Sequence, residues 1–195
     1  MALEEKYVIE AALLSSDEPL KVQDLMSLFE GISSAQVKIL IDQLNAEYKN
    51  RCIEIVEVSS GYRISTKKEV NEILIPLWEL KPQKLSRAMY ETIALIAYRQ
   101  PITRGEIEEI RGVSVSANII KNLFEKEWIK VVGHKDTLGK PALLATTAKF
   151  LDSFNLKKIS DLPPLEEIEE MFTSYDSETE SESIETKDHS AHQVH

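Results

Sequence analysis

The sequence predicts a mainly α (α+β) protein: two tandem winged-helix domains, each a helix-turn-helix with a β-wing, followed by a disordered acidic C-terminal tail. Three observations carry that prediction. From Glu91 to Thr147 the residue pattern runs helix, helix, helix, strand, loop, strand. The same punctuation appears earlier, at an offset of about 81 residues. Pro19-Leu20 answers Pro101-Ile102, Glu30-Gly31-Ile32-Ser33 answers Arg111-Gly112-Val113-Ser114, and Thr66 answers Thr147. Finally, the net charge of −10 is concentrated at one end: residues 166–195 hold ten acids and one Lys, which leaves 23 acids and 22 bases, a net of −1, for residues 1–165.

The first repeat opens with a helix whose face is marked by Leu3, Tyr7, Ala11 and Leu14. Val8, Ile9 and Leu13 add apolar side chains on other faces, more than a small domain needs for one core, so Leu3, Tyr7 and Leu14 are candidates for self-association. Ser15 to Pro19 breaks the helix. Val22, Leu25, Leu28 and Phe29 predict a second helix, which ends near Glu30-Gly31. Ser33 with Gln36 forms a capping-box pattern, and Val37, Leu40, Ile41, Leu44 and Tyr48 follow at helical spacing. Ile53 to Val58 and Tyr62 to Thr66 read as two strands around Ser59-Ser60-Gly61. Thr66 with Glu69 predicts the cap of a closing helix carrying Val70, Ile73 and Leu74.

In the second repeat, Ile93, Ile96 and Ala97 give the first helix its apolar face, and Gln100-Pro101 ends it because proline removes a backbone donor. Thr103 and Glu106 predict a capped second helix with Ile107 and Ile110 on its buried stripe. Gly112 stops it, since glycine tolerates the left-handed conformation. Ser114 or Ser116 caps a third helix carrying Ile120, Leu123 and Phe124. Trp128 to Val132 predicts a strand, His134 to Lys140 a wing, and Pro141 the first position of the returning strand. Leu151 and Phe154 repeat the closing helix. The domains expected are 1–75 and 86–165, with 76–85 as a linker whose two prolines flank Trp78, a packing residue. Residues 166–195, rich in acids, Ser and Thr, bury too little apolar surface to order themselves.

The single cysteine, Cys52, excludes an intrachain disulfide and points to a reducing cytoplasm. The amino-terminal stretch is neither a signal peptide nor a membrane span. The sequence contains no GxxxxGK[ST] loop and no GxGxxG after a strand, so no catalytic role and no cofactor is expected. No metal is expected either: His189, His192 and His195 lie in the tail, where no geometry is fixed, and His134 lies in the wing. For direct DNA reading, Asn118, Lys121, Asn122 and Lys126, with Lys135 and Lys140 in the wing, are the outward candidates. From Arg99 to Lys140 there are eight bases and six acids, a net of only +2, a weak footprint for nucleic acid. Two readings therefore stand: a module that seats another polypeptide through apolar anchors and a polar rim, and a sequence-specific DNA-binding regulator with two winged helices.

AYRQPITRGEIEEIRGVSVS, followed by LFEKEWIKVVGHKDTLGKPALLATT and then by Leu162-Pro163-Pro164-Leu165, resembles the bacterial segregation and condensation protein B family. The resemblance covers most of residues 1–165. It implies a non-catalytic subunit of the bacterial condensin-like SMC–kleisin complex, cytoplasmic and nucleoid-associated. It also implies a homodimer through the first domain. The second domain is expected to bind the kleisin, segregation and condensation protein A, which bridges the SMC ATPase heads; chromosomal DNA would be met indirectly or weakly. By analogy the partner-binding residues are Arg99, Gln100, Pro101, Thr103, Arg104, Arg111, Lys135, Lys140 and Pro141.

Overall fold

The computed structural model describes residues 4–77 and 85–164, in eight α-helices and two small antiparallel sheets, a mixed α+β fold. Leu3, the linker around Trp78 and the acidic tail lie outside the described residues. Residues up to Ile159 belong to one compact unit.

The first half runs α1 (Glu5–Ser15), α2 (Val22–Met26), α3 (Ser34–Glu47), β1 (Ile53–Val58), β2 (Gly61–Thr66) and α4 (Lys68–Leu74). The capping box forms as the sequence requires: Ser33 Oγ accepts from Gln36 N–H, and Gln36 Oε1 accepts from Ser33 N–H. Val37, Ile41 and Leu44 turn inward on α3 to meet Ile9, Leu13, Leu25, Ile55 and Tyr62 in one cluster. The face of α1 predicted to be its apolar side is not the core face. Ile9 and Leu13 are buried, whereas Tyr7, Ala11 and Leu14 point to solvent. Four-residue spacing puts Ile9 and Leu13 on one side of the helix and leaves Tyr7, Ala11 and Leu14 on another. Leu28 and Ile73, also expected to pack, are exposed. Thr66 donates to Asn71 Oδ1 rather than pairing with Glu69 as a cap.

The second half runs α5 (Arg87–Arg99), β3 (Ile102–Thr103), α6 (Arg104–Arg111), α7 (Ala117–Glu125), β4 (Ile129–His134), β5 (Ala142–Thr146) and α8 (Ala148–Ser153). Its strand order is β3-β5-β4. Gln100-Pro101 ends α5 through a cis peptide bond. Gly112, at φ 68°, closes α6, and Ser116 rather than Ser114 caps α7. Of the predicted stripes, Ile107 and Leu123 are fully buried, but Ile110 and Phe124 are exposed because these short helices bury a single row of side chains. Trp128 precedes β4 instead of opening it. Its ring stands edge-on to Phe154 at 5.1 Å, and its indole N–H donates to Ser153 Oγ, so it anchors α8. Pro141 sits one residue before β5, where its carbonyl accepts from Lys135 N–H and closes the loop between β4 and β5.

The duplication is visible in the ladder. Leu20 bridges Tyr62 in the first half and Ile102 pairs with Leu144 in the second, and both partners move by the same step (102 − 20 = 82; 144 − 62 = 82). The halves meet through polar bonds. Ser59 N–H donates to Leu156 O, and Ser60 N–H to Asp152 Oδ1 at 2.9 Å. Arg63 Nη2 donates to Asp152 O and to Asn155 Oδ1, and Lys157 pairs with Glu57.

Candidate partner-binding surface

The residues singled out in the second half lie at the end of α5, at both ends of α6 and in the β4–β5 loop. Most of them hold elements together. Gln100 Oε1 accepts from both the N–H and the hydroxyl of Thr146, so the end of α5 is tied to β5. Thr103, buried, caps α6. Its N–H and hydroxyl both donate to Glu106 Oε2 at 2.8 Å, and the Glu106 N–H donates back to Thr103 Oγ1. The other Glu106 oxygen holds Lys135 at 2.6 Å. Lys135 first, then the Thr103 backbone and hydroxyl, keep the Glu106 carboxyl at about 2, well below the usual carboxylate range. One side chain thus caps a helix and pins the base of the β4–β5 loop.

Arg104 donates to Val115 O at 2.6 Å and to Glu108, whose Oε1 accepts from Val115 N–H. The pair satisfies both backbone groups of Val115 and fixes the turn between α6 and α7. The Val115 N–H is the main reason that the Glu108 carboxyl is held low. Arg111, its side chain 9% exposed, meets Glu91 at 2.8 Å, and Glu91 also takes Arg87. Burial pushes the Glu91 carboxyl up, but the two guanidinium groups together outweigh it and the net shift is downward.

Arg99, Pro101 and Lys140 are left facing solvent, with Lys140 at φ 39° beside Gly139 at φ 83° in the β4–β5 loop. Apolar side chains stand out nearby in sequence: Ile110 in the last turn of α6 and Val113 after it, Val131 and Val132 on β4, and Leu138 in the β4–β5 loop. On α7, Lys121 is paired with Glu125, and Lys126 lies over the Trp128 ring. In the first half, Tyr7 and Leu14 stand out along α1. Among the described residues no group of three His, Cys, Asp or Glu side chains gathers as a metal site, and no helix is long and apolar enough to cross a membrane.

Sequence reasoning missed Glu91, Glu108, Asn45, Arg63 and Asp152. An i,i+4 Arg104–Glu108 pair was legible in principle. The Asp152–Ser60 bond spans 92 residues and leaves no local signal.

Ionisable side chains spent on fastening elements, beside apolar and basic ones left outward, define a mixed helix-and-strand protein of the surface-presenting class. The comparisons with known proteins then place it. Residues 7–165 match the family described as the segregation and condensation complex subunit ScpB, and the chain belongs to that family. It is 52% identical over 166 residues to a segregation and condensation protein B homolog of Coxiella burnetii, covering 84% of this chain and 79% of that protein. It is 36% identical over 173 residues to segregation and condensation protein B of Clostridioides difficile, covering 87% and 96%. A crystal structure of a dimer of an ScpB N-terminal domain complexed with an ScpA peptide is similar at 28% identity, covering 37% of this chain and 93% of that one, with a TM-score of 0.35.

Proposed function

We propose that this protein is the adaptor subunit of a bacterial condensin-like SMC–kleisin complex, acting in chromosome condensation and segregation during cell division. The observation that carries the reading is the family match across residues 7–165, together with 52% identity over most of the chain to a segregation and condensation protein B homolog. The adaptor holds the kleisin, segregation and condensation protein A, and through it reaches the SMC ATPase heads. It is not an enzyme, and it works in the cytoplasm at the nucleoid. Each half is a winged-helix domain, residues 1–75 and 86–165, joined by the 76–85 linker and followed by an acidic tail.

In this reading the first domain makes the homodimer. The outward row of Tyr7, Ala11 and Leu14 along α1 supports it, because an apolar row left in water is a typical mark of an interface. The second domain takes the kleisin at Arg99, Pro101 and the Lys135–Pro141 wing. Gln100, Thr103, Arg104 and Arg111 shape that surface from within, as their internal bonds suggest.

The test is co-purification of the chain with full-length kleisin from the same genome. Arg99→Glu with Lys140→Glu is the informative double variant, because both side chains are exposed and among the described residues neither makes an ion pair that the substitution would break. Retained binding in that variant removes the proposed surface. Loss of binding on changing only Tyr7 and Leu14 to Asp moves the kleisin seat to the first domain.

A further inference from the structure

The two hairpins of the chain differ in what covers their outer edges. In the first, Leu20 closes β2 by exchanging two backbone hydrogen bonds with Tyr62, each 2.8 Å. Asn45 closes β1: its Nδ2 donates to Ile55 O at 2.9 Å, and its Oδ1 accepts from Ile55 N–H at 2.7 Å. A side-chain amide there does what a neighbouring strand would do. In the second sheet, β3 covers β5 as Leu20 covers β2. The outer strand β4 has no counterpart of Asn45. Among the described residues no backbone or side-chain group is bonded to its outer side.

The ladder assigns the sides. Thr147 donates to Trp128 O, so Trp128 and, two residues on, Lys130 face β5, with Lys130 opposite Ala145. Ile129 and Val131 therefore turn their N–H and C=O groups to the outer side, but Ile129 is 3% exposed, so only those of Val131 are open to solvent. Val131 and Val132 are about half exposed beside them. Over residues 126–140 there are four lysines, 126, 130, 135 and 140, against Glu127 and Asp136, a net of +2.

An open edge invites another strand, and natural edges limit that hazard with lysines and bulges. The register breaks between Val131 and Gly133, and Lys130 sits just before the break. Those devices discriminate between occupants. A second copy of this edge would bring Lys130 against Lys130, and like charges across a pair of strands repel. A strand carrying carboxylates meets attraction instead, and it can pair at Val131 before the break is reached.

We propose that the β4 edge takes an extended, acidic segment of the kleisin as an added strand, bonded at Val131, with its apolar side chains on Val131 and Val132 and its carboxylates at Lys130. This rests on the adaptor reading and names how the partner is held. Main-chain bonds supply affinity in such an arrangement and alternate side chains supply selectivity.

Amide hydrogen exchange, measured residue by residue on the full chain alone and saturated with full-length kleisin, tests it. The Val131 amide exchanges freely in the chain alone and slows by about tenfold or more in the complex. Lys130→Glu weakens kleisin binding by about tenfold and leaves the circular dichroism spectrum and melting temperature unchanged. Val131→Pro, which removes one outward donor, weakens it comparably. Kleisin bound while the Val131 amide still exchanges freely overturns strand addition and leaves the adaptor reading standing. Failure of the kleisin to bind overturns both. Protection of that amide already present without kleisin gives the edge to another occupant and overturns the proposal.

Discussion

Asp152 offers a direct measurement of the polar fastening between the halves. It is 7% exposed, yet it carries a carboxylate whose Oδ1 accepts from Ser60 N–H at 2.9 Å. Its backbone oxygen takes Arg63 Nη2, which also reaches Asn155. Asp152→Ala removes the side-chain acceptor and leaves the Ser60 N–H without its partner. A hydrogen bond to a charged group contributes about 1.5–3 kcal/mol, and the same range covers the cost of stranding a donor in a half-buried place. Taking about 2 kcal/mol, a chain of this size should melt about 4–8 °C lower. Asp152→Asn keeps an oxygen in the same position and should lose less than half as much. The assay is urea unfolding followed by circular dichroism, with the midpoint compared at constant slope. An Asp152→Ala variant within about 0.5 kcal/mol of the parent, the ordinary range for surface substitutions, refutes the argument.

Three further outcomes follow from other sites. Gly61 sits at φ 147°, and a Cβ there would lie 2.2 Å from Leu20 O, so Gly61→Ala should break the Leu20–Tyr62 bridge and cost more than about 1 kcal/mol in the same urea assay. Glu106 titrates at about 2 in the fold, so its contribution is present above the ordinary carboxylate range and is lost as pH falls towards 2. An acid titration of Glu106→Gln should therefore show a shallower loss of stability over that window than the parent. The Tyr62 hydroxyl is pushed up to about 12, by burial first and then by Glu57, so its contribution is complete below the ordinary phenol value near 10 and is lost as pH rises towards 12. Tyr62→Phe should flatten the alkaline limb of a stability–pH curve measured by thermal melting.

What the sequence made legible was local punctuation. Ser33 with Gln36 and Thr103 with Glu106 announce capped helices because each motif is complete within four residues. Gly112 announces its helix end for the same reason. The burial of particular side chains was less legible. Ile110 and Phe124 fit a helical stripe as well as Ile107 and Leu123 do, and only the neighbouring elements decide which row is covered. On α1 the apolar residues occupy more than one face, so spacing alone did not choose Ile9 and Leu13 over Tyr7 and Leu14. The short strand β3 was hidden inside a cap motif, since two residues carry no periodicity. At the candidate surface, arginines that read as free from the sequence turned out to be engaged. Arg111 is nearly covered by its pairing with Glu91, and Arg104 holds Val115. Both bonds depend on side chains brought together by folding.

The two halves have diverged in charge, and this sets opposite salt responses for the two associations proposed here. Residues 4–77 carry 13 acids and 8 bases, a net of −5, whereas residues 85–164 carry 9 acids and 12 bases, a net of +3. A homodimer through the first half brings two negative bodies together, so the apolar Tyr7 and Leu14 must carry it against repulsion. Salt screens that repulsion over about 10 Å at 0.1 M and about 3 Å at 1 M. The dimer should therefore tighten as salt rises, read as a falling dissociation constant in sedimentation equilibrium between 0.05 and about 0.5 M salt. Binding of an acidic kleisin segment to the lysines of β4 and the wing works the other way. Its association rate should fall over the same range, because attraction between unlike charges steers encounter only while it is unscreened. If both associations weaken together with salt, the first half is not meeting its own copy through an apolar row, and the assignment of one role to each half fails.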